Sequence, residues 1–455
     1  MQASPSTRRA SVVKNVSWMM MSHGLVKPAW FLFITAACMQ VLGASGYGVL
    51  TTSLALAMLA KVISDFGSSY YTIREVARST SRASLFITNI LIGRLLLALL
   101  GSVSVFAASV ALGYAIEHRM AVLAASVYVI GFSLLEYTRS FFRAFEVLRN
   151  EAISVLVEKA IVIGLGLAAL MTFKTPFGTL AGMATGMLLA LVFTFLWVHT
   201  RYARFTWSLL RWSVVWGTFR AAVPIGLFLL FSIVLLSSGP IIVEVFLGKT
   251  AAGHYGAAYR VLEAAQTLTA IVIAAVLPRL AAHIYAGRYH AYRQLLRNSA
   301  AALLVITLVG ALLLSVLGTY IVGLLAGTQS FEAGGAFLEY VGWALPFMSM
   351  THLLMAALIA ADRHWYVAGS LIFCALGGVG LNLLLIPSMG LNGAGLVLIG
   401  GHVVASMLGL FGVLSLRSTQ DGLGPERPEL PPTGFRSGDL AHGTEEPIER
   451  APRNT

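Results

Sequence analysis

Apolar residues run along the chain in long blocks separated by short polar segments. Examples are "LLLALLGSVSVFAASVALGYAI", "AALLVITLVGALLLSVLGTYIVGLLA" and "LVLIGGHVVASMLGLFGVLSL". A helix needs about 20 mostly apolar residues to cross the hydrocarbon core of a bilayer. Measured against that length, the pattern predicts about twelve spans, at 16–41, 47–65, 85–113, 121–141, 152–171, 177–199, 218–240, 254–277, 299–325, 336–360, 365–386 and 391–416. The expected fold is an all-α polytopic membrane protein with about twelve transmembrane helices.

Charge sets the orientation. Cytoplasmic loops carry the excess of Lys and Arg, and with the N-terminus inside, twenty-three basic residues fall on inner segments against three, Arg119, Lys174 and Lys249, on outer loops. Both termini are then cytoplasmic, in a multi-pass protein of the inner (plasma) membrane. The net charge of +12 is mostly this asymmetry and calls for no nucleic acid. Composition agrees: of 455 residues 58% are hydrophobic and 11% charged, with a mean hydropathy of +0.82, where a soluble protein carries about 25% charged residues. Residues 1–15 are a polar, basic tail with no cleavage signal after them. The stretch 417–455 is rich in Pro, Gly and acids, cannot bury enough apolar surface to fold, and is expected to be disordered. The two cysteines, Cys38 and Cys374, sit inside apolar runs and read as small core residues.

The turn after the first span, "LGASGYGVL" at 42–50, has a counterpart after the seventh, "LGKTAAGHYGAAYRVLE" at 247–263. The two lie six spans apart, so both six-helix halves run the same way, related by a pseudo-twofold along the membrane normal. Glycine suits a tight turn and a close helix approach. The longer segments "LGASGYGVLTTSLALAMLAKVISDFGSSYYTIREVAR" and "LGKTAAGHYGAAYRVLEAAQTLTAIVIAAVLPRL" resemble those of lipid-linked oligosaccharide flippases. These form the polysaccharide-export branch of the multidrug/oligosaccharidyl-lipid/polysaccharide exporter superfamily. The resemblance covers most of residues 14–416. It implies two six-helix lobes, 16–199 and 218–416, joined by a cytoplasmic linker at 200–217 and enclosing a cavity that opens alternately to each side.

Ionisable residues at membrane depth cost a few kcal/mol and usually face a cavity or a partner. Five bases fall inside spans away from their ends: Lys27, Lys61, Arg94, Lys159 and Arg260. Lys27 must lie in the first span, because 28–42 alone is too short to cross; His23 is one turn earlier on the same face. Lys27 and Arg94 have no local acid, and with Arg260 and His23 they are the expected cationic lining for an anionic substrate. Arg is suited to phosphate because its guanidinium holds two oxygens at once. Lys61 near Asp65, Lys159 beside Glu158, Arg260 with Glu263 and Glu136 with Arg139 have local partners and read equally as structural pairs. Glu136 and Glu244 are candidates to couple ions or protons. Tyr255 and Tyr259 could stack on sugar rings, or sit at the interface as aromatics do.

The chain carries no phosphate-loop motif, metal-ligand cluster or large outer loop suited to chemistry. Transport without a cofactor, rather than catalysis, is the expected class. The function expected is that of a flippase moving polyprenyl-pyrophosphate-linked oligosaccharide for exopolysaccharide, capsule or O-antigen assembly. Its partners would be that substrate, membrane lipids, and a polysaccharide polymerase or export machinery. The competing readings are a cation-coupled multidrug exporter of the same superfamily, which would want buried carboxylates, and a polymerase or ligase. A peptidoglycan-precursor flippase would have about two further helices.

Overall fold

The structure is a computed structural model that describes residues 30–327 and 329–416. His23 and Lys27, the N-terminal tail, the first part of span one and the tail from 417 lie outside the described residues. A π-helical turn, Trp30–Thr35, leads into α1 (Ala36–Asp65), α2 (Ser68–Arg78), α3 (Ala83–Ala111), α4 (Ile116–Ala144), α5 (Leu148–Phe173) and α6 (Pro176–Arg201). The second half of the chain forms α7 (Trp212–Tyr285), α8 (Tyr289–Ala326), α9 (Glu332–Val341), α10 (Ala344–Ala360), α11 (His364–Met389) and α12 (Leu391–Ser415). No strand occurs among the described residues. Residues up to Val413 make one compact unit, and the described part of the second unit, 414–416, finishes the last turn of α12.

Among the described residues, nine helical segments are long and apolar enough to span a membrane, and the pair α9 and α10, bent by 52°, makes a tenth. Two of these are too long for one crossing. Ile225–Tyr285 has 61 residues, which at about 1.5 Å each would extend about 90 Å, three times the hydrocarbon thickness. Each overlong segment is broken within a helix at a glycine: Gly43 in α1 (φ 65°, ψ −179°) and Gly248 in α7 (φ 83°, ψ 173°). Counting each broken helix twice restores the twelve spans. The sequence pattern missed α2, a polar amphipathic helix between spans, because its outward residues dilute the apolar signal.

The two breaks have the same backbone conformation, and the residues after them pack symmetrically. A Cβ added to Gly48, five residues past the first break, would collide with the Lys249 carbonyl, one residue past the second. A Cβ on Gly253, five past the second break, would collide with the Ala44 carbonyl, one past the first. Eight residues past each break, Gly256 meets Thr51. These reciprocal contacts are what a twofold axis between the halves requires. The repeat is therefore real, but its register is not the Tyr-Gly pair that catches the eye: Gly48 corresponds to Gly253, and Gly256 to Thr51. The end of the bundle that carries both breaks is called the outer end, after the charge asymmetry.

Around this interlock lies the largest shared core, with Cys38, Met39, Tyr47 and Leu50 of α1 packed in one cluster with Ala252, Tyr255 and Leu262 of α7 and Phe337 and Leu338 of α9. At the opposite end the halves meet where Gly67 packs on Ala222 and Ile225 and where Gly226 packs on Phe66. Side chains such as Leu99, Val103, Val305, Val316 and Leu384 are exposed, as lipid-facing positions should be.

Both break glycines sit in a backbone region that is essentially closed to other residues. Gly43→Ala and Gly248→Ala should each lower stability by about 1–3 kcal/mol, by similar amounts, in a thermal or denaturant melt of the purified protein. A loss at one site only would break the equivalence of the two turns.

Candidate functional site

The first expected site residue is placed differently from the expectation. Arg94 on α3 has no exposed surface. Its Nη1 forms an ion pair with Asp65 at the end of α1 at 2.8 Å and donates to Ser69 Oγ at 2.6 Å on α2. Its Nη2 donates to Ser133 Oγ at 2.8 Å and to the Ser133 carbonyl at 3.0 Å on α4. One guanidinium thus ties four helices together at the inner end and offers nothing to a cavity. A planar fork with five donors is what such a junction needs. The acid it uses is Asp65, which local spacing assigned to Lys61.

Lys61, released from Asp65, crosses to α4 and pairs with Glu136 at 2.8 Å. Arg139, expected to hold Glu136, instead reaches α5, where it meets Glu158 at 2.7 Å and donates to Ser154 Oγ at 2.9 Å. Lys159 approaches the other oxygen of Glu158 at 2.8 Å. Two bases therefore share the one buried carboxylate of Glu158, and the surplus positive charge rests on Lys159, whose side chain is 19% exposed, as is that of Lys61. Both ammonium groups lie over the ring of Phe132, at 4.3 Å for Lys61 and 5.7 Å for Lys159, and Lys159 is also 4.9 Å from the ring of Trp30. The arrangement is two cations on an aromatic platform at membrane depth, with Glu136 as a partly exposed counter-charge.

Tyr128, one turn before Phe132 and stacked with it at 6.5 Å, carries this platform towards the other half. It lies within electrostatic reach of Arg260 on α7. Arg260 is bound to Glu263 at 2.6 Å, the pair that spacing anticipated, and both side chains remain partly exposed. Tyr255 and Tyr259 stack at 6.0 Å and, with Glu263 and Gln266, line a cavity of about 640 Å³ inside the C-terminal half. The structure thus gathers Lys61, Lys159 and Glu136 around Phe132, keeps Arg260 with Glu263 on α7, groups Glu263 with Tyr255 and Tyr259, and removes Arg94 from the lining. Sequence reasoning missed Phe132, Arg139 and Glu158 as site members. One signal was available: Arg139 and Arg143 share a face of α4, and Glu151 and Glu158 share a face of α5, where Arg143 meets Glu151 at 2.6 Å.

The chain matches the family described as "Polysaccharide biosynthesis protein" over residues 12–283, more than half its length. It belongs to that family. No curated protein matches it. Among solved structures it is similar to a multidrug resistance MATE family transporter of the MOP superfamily in an inward-facing conformation, at 14% identity and a TM-score of 0.69, covering 91% of this chain and 100% of that one. It is similar to the lipid II flippase MurJ in an inward closed conformation, at 15% identity and a TM-score of 0.67, covering 86% and 87%. An outward-facing MATE transporter gives 17% identity and a TM-score of 0.54, covering 91% and 93%. The fold is the one these proteins share.

In this member of the polysaccharide biosynthesis family the outer end is sealed by more than the glycines. Gln40 donates to the Leu325 carbonyl at 2.9 Å, Tyr47 packs edge-on against Phe331 at 6.0 Å, and His118 meets Glu244 at 3.0 Å. All three contacts join the two halves.

Removing one partner of a buried ion pair leaves an uncompensated charge and costs about 3–5 kcal/mol. Arg94→Ala should therefore act on stability, lowering the melting temperature and the folded yield, while Arg94→Lys, which keeps the charge but loses the fork, should recover part of the loss. An Arg94→Ala protein that melts normally but fails in transport would return Arg94 to the cavity.

Proposed function

We propose that the protein is a flippase that carries a polyprenyl-pyrophosphate-linked oligosaccharide across the inner membrane, for exopolysaccharide, capsule or O-antigen assembly. The observation that carries this reading is the pair of partly exposed ammonium groups, Lys61 and Lys159, both over Phe132, with Trp30 beside Lys159. A diphosphate needs cations, and a sugar ring packs on an aromatic face. Family membership supports a role in polysaccharide assembly, and the likeness to transporters and to a flippase supports translocation over catalysis.

In mechanism, the diphosphate enters between the two lysines and replaces Glu136 as the partner of Lys61. Lys159 contributes the charge that Glu158, already held by Arg139, leaves unneutralised. Arg260 adds a third cation from the opposite half when it exchanges Glu263 for phosphate. The prenyl chain stays in the bilayer. The halves, 16–199 and 218–416, rock about the linker at 200–217 so that the head group meets each side in turn, with both termini in the cytoplasm. Because each base already has a carboxylate to return to, release needs no bare charge in the membrane. The same pairing disfavours export of cationic drugs, since no intramembrane carboxylate among Asp65, Glu136, Glu158 and Glu263 lacks a base.

Deleting the gene should build up lipid-linked sugar on the cytoplasmic leaflet, measured by its protection from an enzyme added to the periplasmic side, and the intact gene should relieve it. Charge-assisted hydrogen bonds contribute about 1.5–3 kcal/mol each, so Lys61→Gln and Lys159→Gln should each slow flipping by about ten- to a hundredfold at unchanged protein level. Normal leaflet distribution in the deletion strain, or full activity in both variants, overturns the reading.

A further inference from the structure

A cleft of about 710 Å³ lies between the start of α5 and the end of α6, lined by Asn150, Ile153, Phe193, Trp197, Arg201 and Tyr202. The transport cycle makes no use of it. Arg201 is the last residue of α6, is exposed, and forms no ion pair among the described residues. The ring of Tyr202 is wedged between Phe142 and Phe145, with centres 5.5 and 5.3 Å away. Its hydroxyl is bonded to the Asn150 amide at 2.6 Å. That pair holds three polar hydrogens and spends one on the bond between them whichever way the amide is turned, so two remain for a ligand. Trp197 adds an indole N–H, which can only donate, and Arg201 adds a planar fork of donors. Among the described residues no carboxylate lines the cleft.

The cleft and the cationic platform use opposite sides of α5. Asn150 and Lys159 are nine residues apart, about two and a half turns at 3.6 residues per turn, so they leave the helix on opposite faces. Between the two, the seam of α5 and α6 is shut by Ser154 Oγ and Thr194 Oγ1, buried and 2.8 Å apart, and Arg139 of α4 donates to the same serine. The cleft opens instead on the lipid-facing row of α6, where Leu189, Val192, Phe193 and Leu196 are exposed. Trp207 and Trp212, just beyond α6, are exposed too, and Trp and Tyr gather where membrane meets water. The cleft therefore stands at the level of the inner head groups, with an apolar row running from it into the hydrocarbon.

We propose that this cleft binds the phosphate of an anionic phospholipid of the inner leaflet, with Arg201 as the cation and Trp197, Asn150 and Tyr202 as neutral donors. The one ionised group in the lining is a base and every polar neighbour can donate, which selects an anion. At head-group depth, above an exposed apolar row, that anion is a lipid phosphate rather than a free ion. A guanidinium holds two phosphate oxygens at once, so one arginine suits one phosphodiester. A head group that also carries an ammonium fits less well, because the cleft has no carboxylate to receive it. Phosphatidylglycerol is therefore preferred to phosphatidylethanolamine. The acyl chains follow Phe193, Leu196 and Leu189 into the bilayer. A base at the inner end of a span serves orientation anywhere on the helix circumference, and Arg204, exposed three residues on, does so outside the cleft. Arg201 differs in standing among donors. The site lies away from the platform and does not depend on which sugar is carried.

The test is native mass spectrometry of the purified full chain in detergent micelles, titrated with phosphatidylglycerol or phosphatidylethanolamine of the same acyl chains. The expected result is one phosphatidylglycerol held about tenfold more tightly than phosphatidylethanolamine. Arg201→Gln should weaken that binding by about ten- to a hundredfold, and Tyr202→Phe, which removes only a hydroxyl, by less. Arg204→Gln should bind as the wild type does. Asn150→Asp places a carboxylate in the cleft, where it engages Arg201 and offers a partner to an ammonium, so the preference should turn towards phosphatidylethanolamine. A damaged fold would weaken both lipids and could not reverse their order. Equal binding of the two lipids by the wild type overturns the site, and so does an unchanged preference in Asn150→Asp. Equal losses in Arg201→Gln and Arg204→Gln would make the attraction a diffuse one and overturn it as well. Polyprenyl diphosphate that displaces nearly all the phosphatidylglycerol at equal concentration would give the cleft to the substrate and overturn the phospholipid assignment.

Discussion

A base carried into hydrocarbon must reach water or meet an acid, and that constraint organises the interior of this protein. Arg94 meets Asp65, Lys61 meets Glu136, Arg139 and Lys159 share Glu158, and Arg260 meets Glu263. In the N-terminal half Asp65, Glu136 and Glu158 each lie on a different helix from a base they hold, so the pairs also fix which helices are neighbours. Arg94 is the extreme case, since its one side chain sets the packing of α1, α2, α3 and α4. Such a junction costs desolvation and is retained for the geometry it imposes. Where a carboxylate is held by two bases, as Glu158 is, the outer base keeps charge to offer a ligand.

The second constraint is close approach. Membrane helices gain no hydrophobic drive from meeting one another, so their contacts depend on packing and on small residues that let backbones touch. Gly48 and Gly253 place a Cα of each half against a carbonyl of the other, and no side chain fits between. Symmetry makes the contact self-complementary, which allows two short turns to close the whole outer end.

Much of the fold was legible in the residues. Apolar runs of spanning length gave twelve crossings, and the structure has them once α1 and α7 are divided at Gly43 and Gly248. The site was only partly legible. Sequence spacing reveals neighbours one turn away on the same helix, and it correctly paired Arg260 with Glu263 and Lys159 with Glu158. It assigned Asp65 to Lys61 and Arg139 to Glu136 because those are one turn apart, whereas the real partners are on other helices. Arg94 looked free for the same reason. The repeated Tyr-Gly was misleading in detail because the equivalent positions are counted from the break glycines, and φ cannot be read from a string of letters.

The two constraints meet at the outer end. Glu244 carries the only contact between a carboxylate and an imidazole that joins the halves among the described residues, and it sits one hydroxyl away from the glycine interlock. Asp65, Glu136, Glu158 and Glu263 are each matched by a Lys or an Arg. Here the partner is a histidine on the opposite half. The contact closes the same end that Gly48 and Gly253 bring together, while the cations of the platform are Lys61, Lys159 and Arg260, so the seal between the halves and the charges deeper in the bundle rest on different residues.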